Sequence, residues 1–274
     1  MKGLRQQSKG ARVNEINTAN WLEVLRERQL IPEDHLAVSV VGSVAHGWHN
    51  DQSDFDIYVV TSGESASPGR SSITMPLNPP HVRTEMFYVG DRRWEVTYWL
   101  DSQYEQMLAK VSRDEFNRGV APVRVLAPRE ELALGRLEGC LVLLGAPWFE
   151  ARRKQLAESA FRSFVVARSL GAADDCVEDA LGQMDSGNLE SATLSARAAL
   201  GFAVDALLEG HGQYGSQSPK WRPNRFRAAC PPALSFEDYW ALEIMRGYDP
   251  EDPRPWINQV LTICQDISMR VEVS

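Results

Sequence analysis

The sequence predicts an α+β protein: a mixed β-sheet domain flanked by helices over residues 1–146, followed by an α-helical bundle over residues 147–274. Two observations carry that division. Apolar runs of strand length, broken by turn residues, are confined to the first half. After Gly145-Ala146-Pro147 the apolar residues recur at helical spacing. With 274 residues, 43% of them hydrophobic, the chain is long enough for two domains with separate cores.

Taken in order, Trp21 to Leu30 places Trp21, Leu22, Leu25 and Leu30 on one helical face ahead of the first strand. That strand ends at Val41 before Gly42-Ser43, and after a polar crossing a second strand runs from Asp54 to Val60. The interval Ser62 to Pro80 is rich in proline and serine, and Ser62 to Ser72 reads as flexible. Val82 to Val89 and Arg92 to Leu100 read as strands joined at Gly90-Asp91, a pair suited to a hairpin turn. Ser102 to Val111 is helical, Pro122 to Leu126 reads as a short strand, and Arg129 to Leu137 as a helix. In the second half Phe149 to Leu170 and Asp174 to Met184 read as separate helices. Gly187 stops the latter and Asn188 caps the next, Leu189 to Leu208. Phe236 to Met245 and Pro255 to Val271 complete the bundle.

The residues that carry chemistry lie at strand ends. Side chains alternate along a strand, so Asp54 and Asp56 project to one face while Phe55 and Ile57 take the other. Two carboxylates held that close repel unless a cation lies between them, and magnesium, a hard ion with oxygen ligands, answers that need. Gly42-Ser43 offers close backbone approach, N–H groups and a hydroxyl, which suit a phosphate oxygen. Phosphate and metal together indicate a nucleoside triphosphate. Asp-x-Asp alone is common in solvated strand ends. The apolar strands on either side give it weight here.

Gly42-Ser43 followed by Asp54-Phe55-Asp56 resembles the nucleotidyltransferase superfamily that includes DNA polymerase beta. The resemblance implies a third acid on a later strand, and Glu95 in Trp94-Glu95-Val96-Thr97 is the candidate, with Glu85 on the partner strand as its competitor. Glu95-Val96-Thr97 also looks like the corresponding strand of the aminoglycoside adenylyltransferases that modify streptomycin and spectinomycin, which implies a catalytic base at Glu95. That branch carries a C-terminal helical domain, binds its acceptor between the domains, and has a small-residue-Pro-Lys segment that brings a lysine to the phosphates. Ser218-Pro219-Lys220 is similar, which makes Lys220 a candidate nucleotide ligand. Its alternative is a solvated cation in a basic loop with Arg222, Arg225 and Arg227. One position departs from the pattern. Where many small members have arginine, in Gly-Ser-x-Ala-Arg-Gly, this chain has His46, a weaker and pH-dependent cation given a secondary role near the phosphates.

The resemblance therefore implies Gly42, Ser43, His46 and Lys220 at the nucleotide, and Asp54, Asp56 and Glu95 both at two magnesium ions and at the chemistry. It implies transfer of AMP from ATP to a hydroxyl of an aminoglycoside-like antibiotic or natural-product intermediate, releasing pyrophosphate. Two other classes stay open: a protein-modifying nucleotidyltransferase of toxin–antitoxin type, and a catalytically silent nucleotide-binding module.

Bulk properties agree with such an enzyme. The formal charge of -8, from 29 basic and 37 acidic residues, argues against a general nucleic-acid binder and is compatible with a cationic acceptor. There is no unbroken apolar run of membrane length, and Met1 to Arg12 is polar and basic without the apolar segment of a secretory signal, so a cytoplasmic monomer or homodimer is expected. Cys140, Cys176, Cys230 and Cys264 are widely spaced and read as buried thiols rather than zinc ligands. Trp48, Trp94, Trp99, Trp148 and Trp221 are candidates for stacking on a ring or for core packing.

Overall fold

The computed structural model describes residues 18–64 and 68–273; the basic N-terminal stretch and the centre of the Ser62 to Ser72 interval lie outside the described residues. The chain forms two compact units. The first comprises the residues up to Thr74, His81–Asp101 and Gly139–Trp148; the second comprises Met75–Pro80, Ser102–Glu138 and the chain from Phe149 onward.

The first unit opens with α1 (Thr18–Glu27), which buries Trp21 and Leu25 one turn apart. Strand β1 (His35–Val41) leads into a single turn, α2 (Gly42–Ala45). Strands β2 (Phe55–Thr61), β3 (Ser71–Thr74), β4 (His81–Val89), β5 (Arg92–Leu100) and β6 (Leu141–Leu144) follow. The order across the sheet is β3-β4-β5-β2-β1-β6, and only β2 and β5 run parallel. Val38, Val40, Ile57, Val59, Trp94, Val96 and Tyr98 share one face and build a core with Trp21, Leu25 and Leu30. The opposite face of β2 and β5 is therefore the one that carries Asp56 and Glu95.

The second unit is helical. Its elements are α3 (Asp101–Lys110), α4 (Arg113–Asn117), α5 (Pro122–Val125), α6 (Pro128–Gly139), α7 (Ala146–Glu158), α8 (Phe161–Asp185), α9 (Leu189–Gly210), a 3-10 turn (Pro219–Trp221), α10 (Arg222–Ala229), α11 (Phe236–Glu243) and α12 (Arg254–Arg270). The α8–α9 connection turns on Gly187 at φ 82°, and the Asn188 side chain accepts the Ser191 N–H at 3.3 Å. Ala192, Ala196, Ala199 and Ala203 are buried along α9, and these short side chains let α8 and α12 pack close. By length and composition α9 is apolar enough to cross a membrane, yet 61% of that window is buried within the chain, as expected of a core helix.

Several sequence expectations change. The single division at 146/147 is crossed, because residues 102–138 are helical and group with the second unit, while the short apolar run of β6 returns to the sheet beside β1. Pro122 to Leu126 is not a strand: proline occupies the first turn of α5, where its fixed φ suits a helix and its missing N–H costs nothing. The expected break near Gly171 is absent and α8 runs through it, since Ala173, Ala180 and Met184 are buried in the helical core and outweigh the roughly 1 kcal/mol cost of one helical glycine. The break falls instead at Ser159-Ala160, where the Ser159 hydroxyl accepts the Phe161 N–H at 3.1 Å. Part of the interval read as flexible forms β3, a polar edge strand on β4. Of the four cysteines only Cys264 is buried; Cys230 is exposed.

Candidate functional site

The site is built by register. β2 and β5 are paired in parallel with Asp56 opposite Glu95, and Val41, the last residue of β1, lies opposite Asp56 on the other side. Neighbouring strands stand roughly 5 Å apart, so both carboxylates start from adjacent backbones on one face. The chain turns sharply one residue beyond Val41: Gly42 has φ 72°, a conformation that costs other residues about 1–2 kcal/mol, and it opens the α2 turn that carries Ser43. The Gly-Ser turn and the paired acids thus meet at one end of the sheet.

Asp54 stands just ahead of β2, where the turn from Asn50 to Ser53 is closed by its own side chains. Its carboxylate accepts a hydrogen bond and ion pair from Arg93, two residues before Glu95 on β5. Arg93 therefore shares the acid-bearing face, while the neighbouring Arg92 turns to the other and lies 5.1 Å over the Phe55 ring. The Arg93 guanidinium is held above its ordinary pKa, first by its hydrogen bond to Asp54 and then by the charges of Asp54 and Glu95, against the opposing effect of burial. Its Nε is buried without a hydrogen-bond partner.

Glu85, the competitor of Glu95, is directly opposite Val96 and so belongs to the core-facing side of the sheet. It accepts the Arg70 N–H at 3.0 Å, and after burial its charge is the next cause that pushes the Tyr98 hydroxyl pKa up. The face of Asp54, Asp56 and Arg93 is not its own.

His46 is exposed, with its ring stacked on Trp48 at 4.4 Å between centroids. A Cβ on Gly139 would sit 2.2 Å from its Cε1, so His46 rests against bare backbone at the end of α6. Lys220 belongs to the helical unit, exposed on the 3-10 turn with Nζ 5.2 Å from the Trp221 ring centroid. The basic loop expected around it is not one. Arg222 and Arg225 are buried and both donate to Asp205, at 2.8 and 2.5 Å, while Arg227 covers the Phe236 ring. Trp94 and Trp99 are core residues, and Trp148 Nε1 donates to Asp101 at 2.7 Å.

No family model matches the chain, and no curated protein matches it. Among solved structures, a nucleotidyltransferase-like protein from Exiguobacterium sibiricum is similar at 12% identity over 92% of this chain and 74% of that one, with a TM-score of 0.48.

Asp54, Asp56 and Glu95 offer only hard oxygen donors, which is the ligand chemistry of magnesium. Among the described residues, however, no three His, Cys, Asp or Glu side chains converge on a metal position. The donor types fit the ion, and the resting arrangement gives one of the acids to Arg93. Arg93 is also the residue that sequence reasoning missed, although its spacing of two from Glu95 was the available signal.

Proposed function

We propose that this chain is a metal-dependent nucleotidyltransferase that moves AMP from ATP to a hydroxyl of a small molecule, aminoglycoside-like or a natural-product intermediate, releasing pyrophosphate. The observation that supports this reading most is the register of β1, β2 and β5, which gathers Gly42-Ser43, Asp56 and Glu95 at one sheet end with Asp54 on the same face as Arg93. Like charges brought to adjacent strands call for a compensating cation, which a metal-binding role would supply.

In this reading Asp54, Asp56 and Glu95 hold two magnesium ions, which when bound supply charge neutralisation for the triphosphate and a lowered pKa for the acceptor hydroxyl. The backbone at Gly42 and the Ser43 hydroxyl hold phosphate oxygens, with His46 and Lys220 in supporting roles. Glu95 takes the proton from the acceptor hydroxyl. The acceptor oxygen then bonds to the α-phosphorus as the bond to pyrophosphate breaks, and orientation and charge placement supply most of the acceleration. The helical unit supplies acceptor selectivity.

Mass spectrometry of products, after incubation with ATP, magnesium and a panel of hydroxylated amines, tests the reading. An acceptor gaining one AMP, with pyrophosphate in equal amount, is the expected result. Adducts on protein alone would favour the protein-modifying class, and ATP binding with no adduct the silent module.

A further inference from the structure

We infer that Arg93 is an internal cation that competes with the divalent metal for Asp54, so that metal binding and the Arg93–Asp54 ion pair exclude one another. This rests on the metal site proposed above and adds a control on it.

The arginine occupies the acid-bearing face of β5 between the reach of two carboxylates: it pairs directly with Asp54, and the charge of Glu95 acts on it as well. In the resting chain it neutralises part of the repulsion that the acids would otherwise suffer. A carboxylate oxygen engaged by a guanidinium is not free for a metal, and among the described residues the acids share a face without converging on one point. The pair is also poised to open. Asp54 is 34% and Arg93 39% exposed, so the interaction is screened and weak, and the buried Arg93 Nε has no partner, so the guanidinium is incompletely satisfied where it sits. Divalent charge on two or three carboxylates outcompetes a single screened guanidinium, and the released arginine becomes a cation beside the nucleotide site.

The test is Mn2+ binding to the full chain, followed by electron paramagnetic resonance and calorimetry without nucleotide, for the parent, Arg93→Gln, Arg93→Lys and Asp54→Asn. Removing the competitor should tighten Mn2+ binding roughly three- to tenfold in Arg93→Gln, the range that a screened ion pair allows. Arg93→Lys, which keeps the charge, should stay within about twofold of the parent, and Arg93→Gln should add nothing on an Asp54→Asn background. In thermal melts, metal-free Arg93→Gln should unfold at a lower temperature than the parent and recover more on adding Mn2+. Parent and Arg93→Gln binding Mn2+ equally, or the variant more weakly, overturns the inference and leaves the proposed metal site standing. Absence of Mn2+ binding in the parent and in Arg93→Gln at millimolar concentration overturns the metal site itself, and the inference with it.

Discussion

Asp54 and Asp205 both hold arginine, at opposite ends of the burial scale. Asp54, 34% exposed, meets one guanidinium on the sheet, itself 39% exposed. Asp205, only 2% exposed inside the helical unit, receives three donors, two from Arg222 and one from Arg225, and Arg222 also reaches Glu243 at 3.7 Å. A second buried network stands one helical turn along α9. Glu209 accepts from Ser169 at 2.7 Å and from Arg168, which also binds Glu131 and the Ser216 hydroxyl. Charges that are paired deep in a core fix a packing, because breaking them strands a charge in low dielectric. Charges that are half-exposed are screened and can change partners. The helical unit has the first kind and the end of the sheet the second, which is where binding chemistry belongs.

The comparison breaks most visibly if the two kinds of site respond alike to loss of an acid. Asp56→Ala should lower AMP transfer by about three orders of magnitude or more while changing unfolding free energy by less than roughly 1 kcal/mol, since Asp56 is only part-buried at the start of β2. Glu95→Gln should do the same, whereas Glu85→Gln should retain turnover; stopped assays and denaturant titrations on the same samples check both. Asp205→Ala should show the reverse, a loss of about 3–5 kcal/mol in stability from two stranded guanidiniums, with activity per folded molecule kept. A mild effect at Asp205 would remove the distinction.

The same contrast explains what the sequence made legible. The hairpin from His81 to Leu100 and the two strands around Gly42-Ser43 were readable because apolar alternation and turn residues coincide there. β3 was not, because Ser71–Thr74 becomes a strand only through its neighbour and has no apolar period. The grouping of residues 102–138 with the helical unit depends on tertiary contacts that no local pattern carries. At the site, the shared face of Asp54 and Asp56 follows from strand alternation alone, and the choice of Glu95 over Glu85 for that face needed the register. The roles of Arg222 and Arg225 were misread because a basic run looks solvated until its partner Asp205, on another helix, is known.

A finer prediction concerns pH. Burial, with the charge of Asp205, raises the Glu209 carboxyl to about 7 against the pull of Arg168, Ser169 and Ser216. Folded chain therefore holds a proton that unfolded chain releases above the ordinary glutamate value. Stability from this group is present in acid and falls as pH rises from about 4.5 to about 7, by on the order of 3 kcal/mol. Glu209→Gln should flatten that part of the stability profile, measured by denaturant unfolding across the window; an unchanged slope assigns it to other groups. The smallest expected effect is at Lys220, exposed and in contact with the Trp221 ring. Lys220→Ala should raise the apparent ATP requirement a few-fold and leave the acceptor requirement unchanged, and two substrate titrations decide it.

The most direct measurement is anomalous diffraction from crystals grown with Mn2+ and a non-hydrolysable ATP analogue. The expected map has manganese peaks bounded by Asp54, Asp56 and Glu95, the triphosphate against the Gly42-Ser43 turn, and Arg93 withdrawn from Asp54. Nucleotide bound elsewhere, or no manganese at these acids with Arg93 still on Asp54, would contradict a metal-dependent transferase site at this end of the sheet.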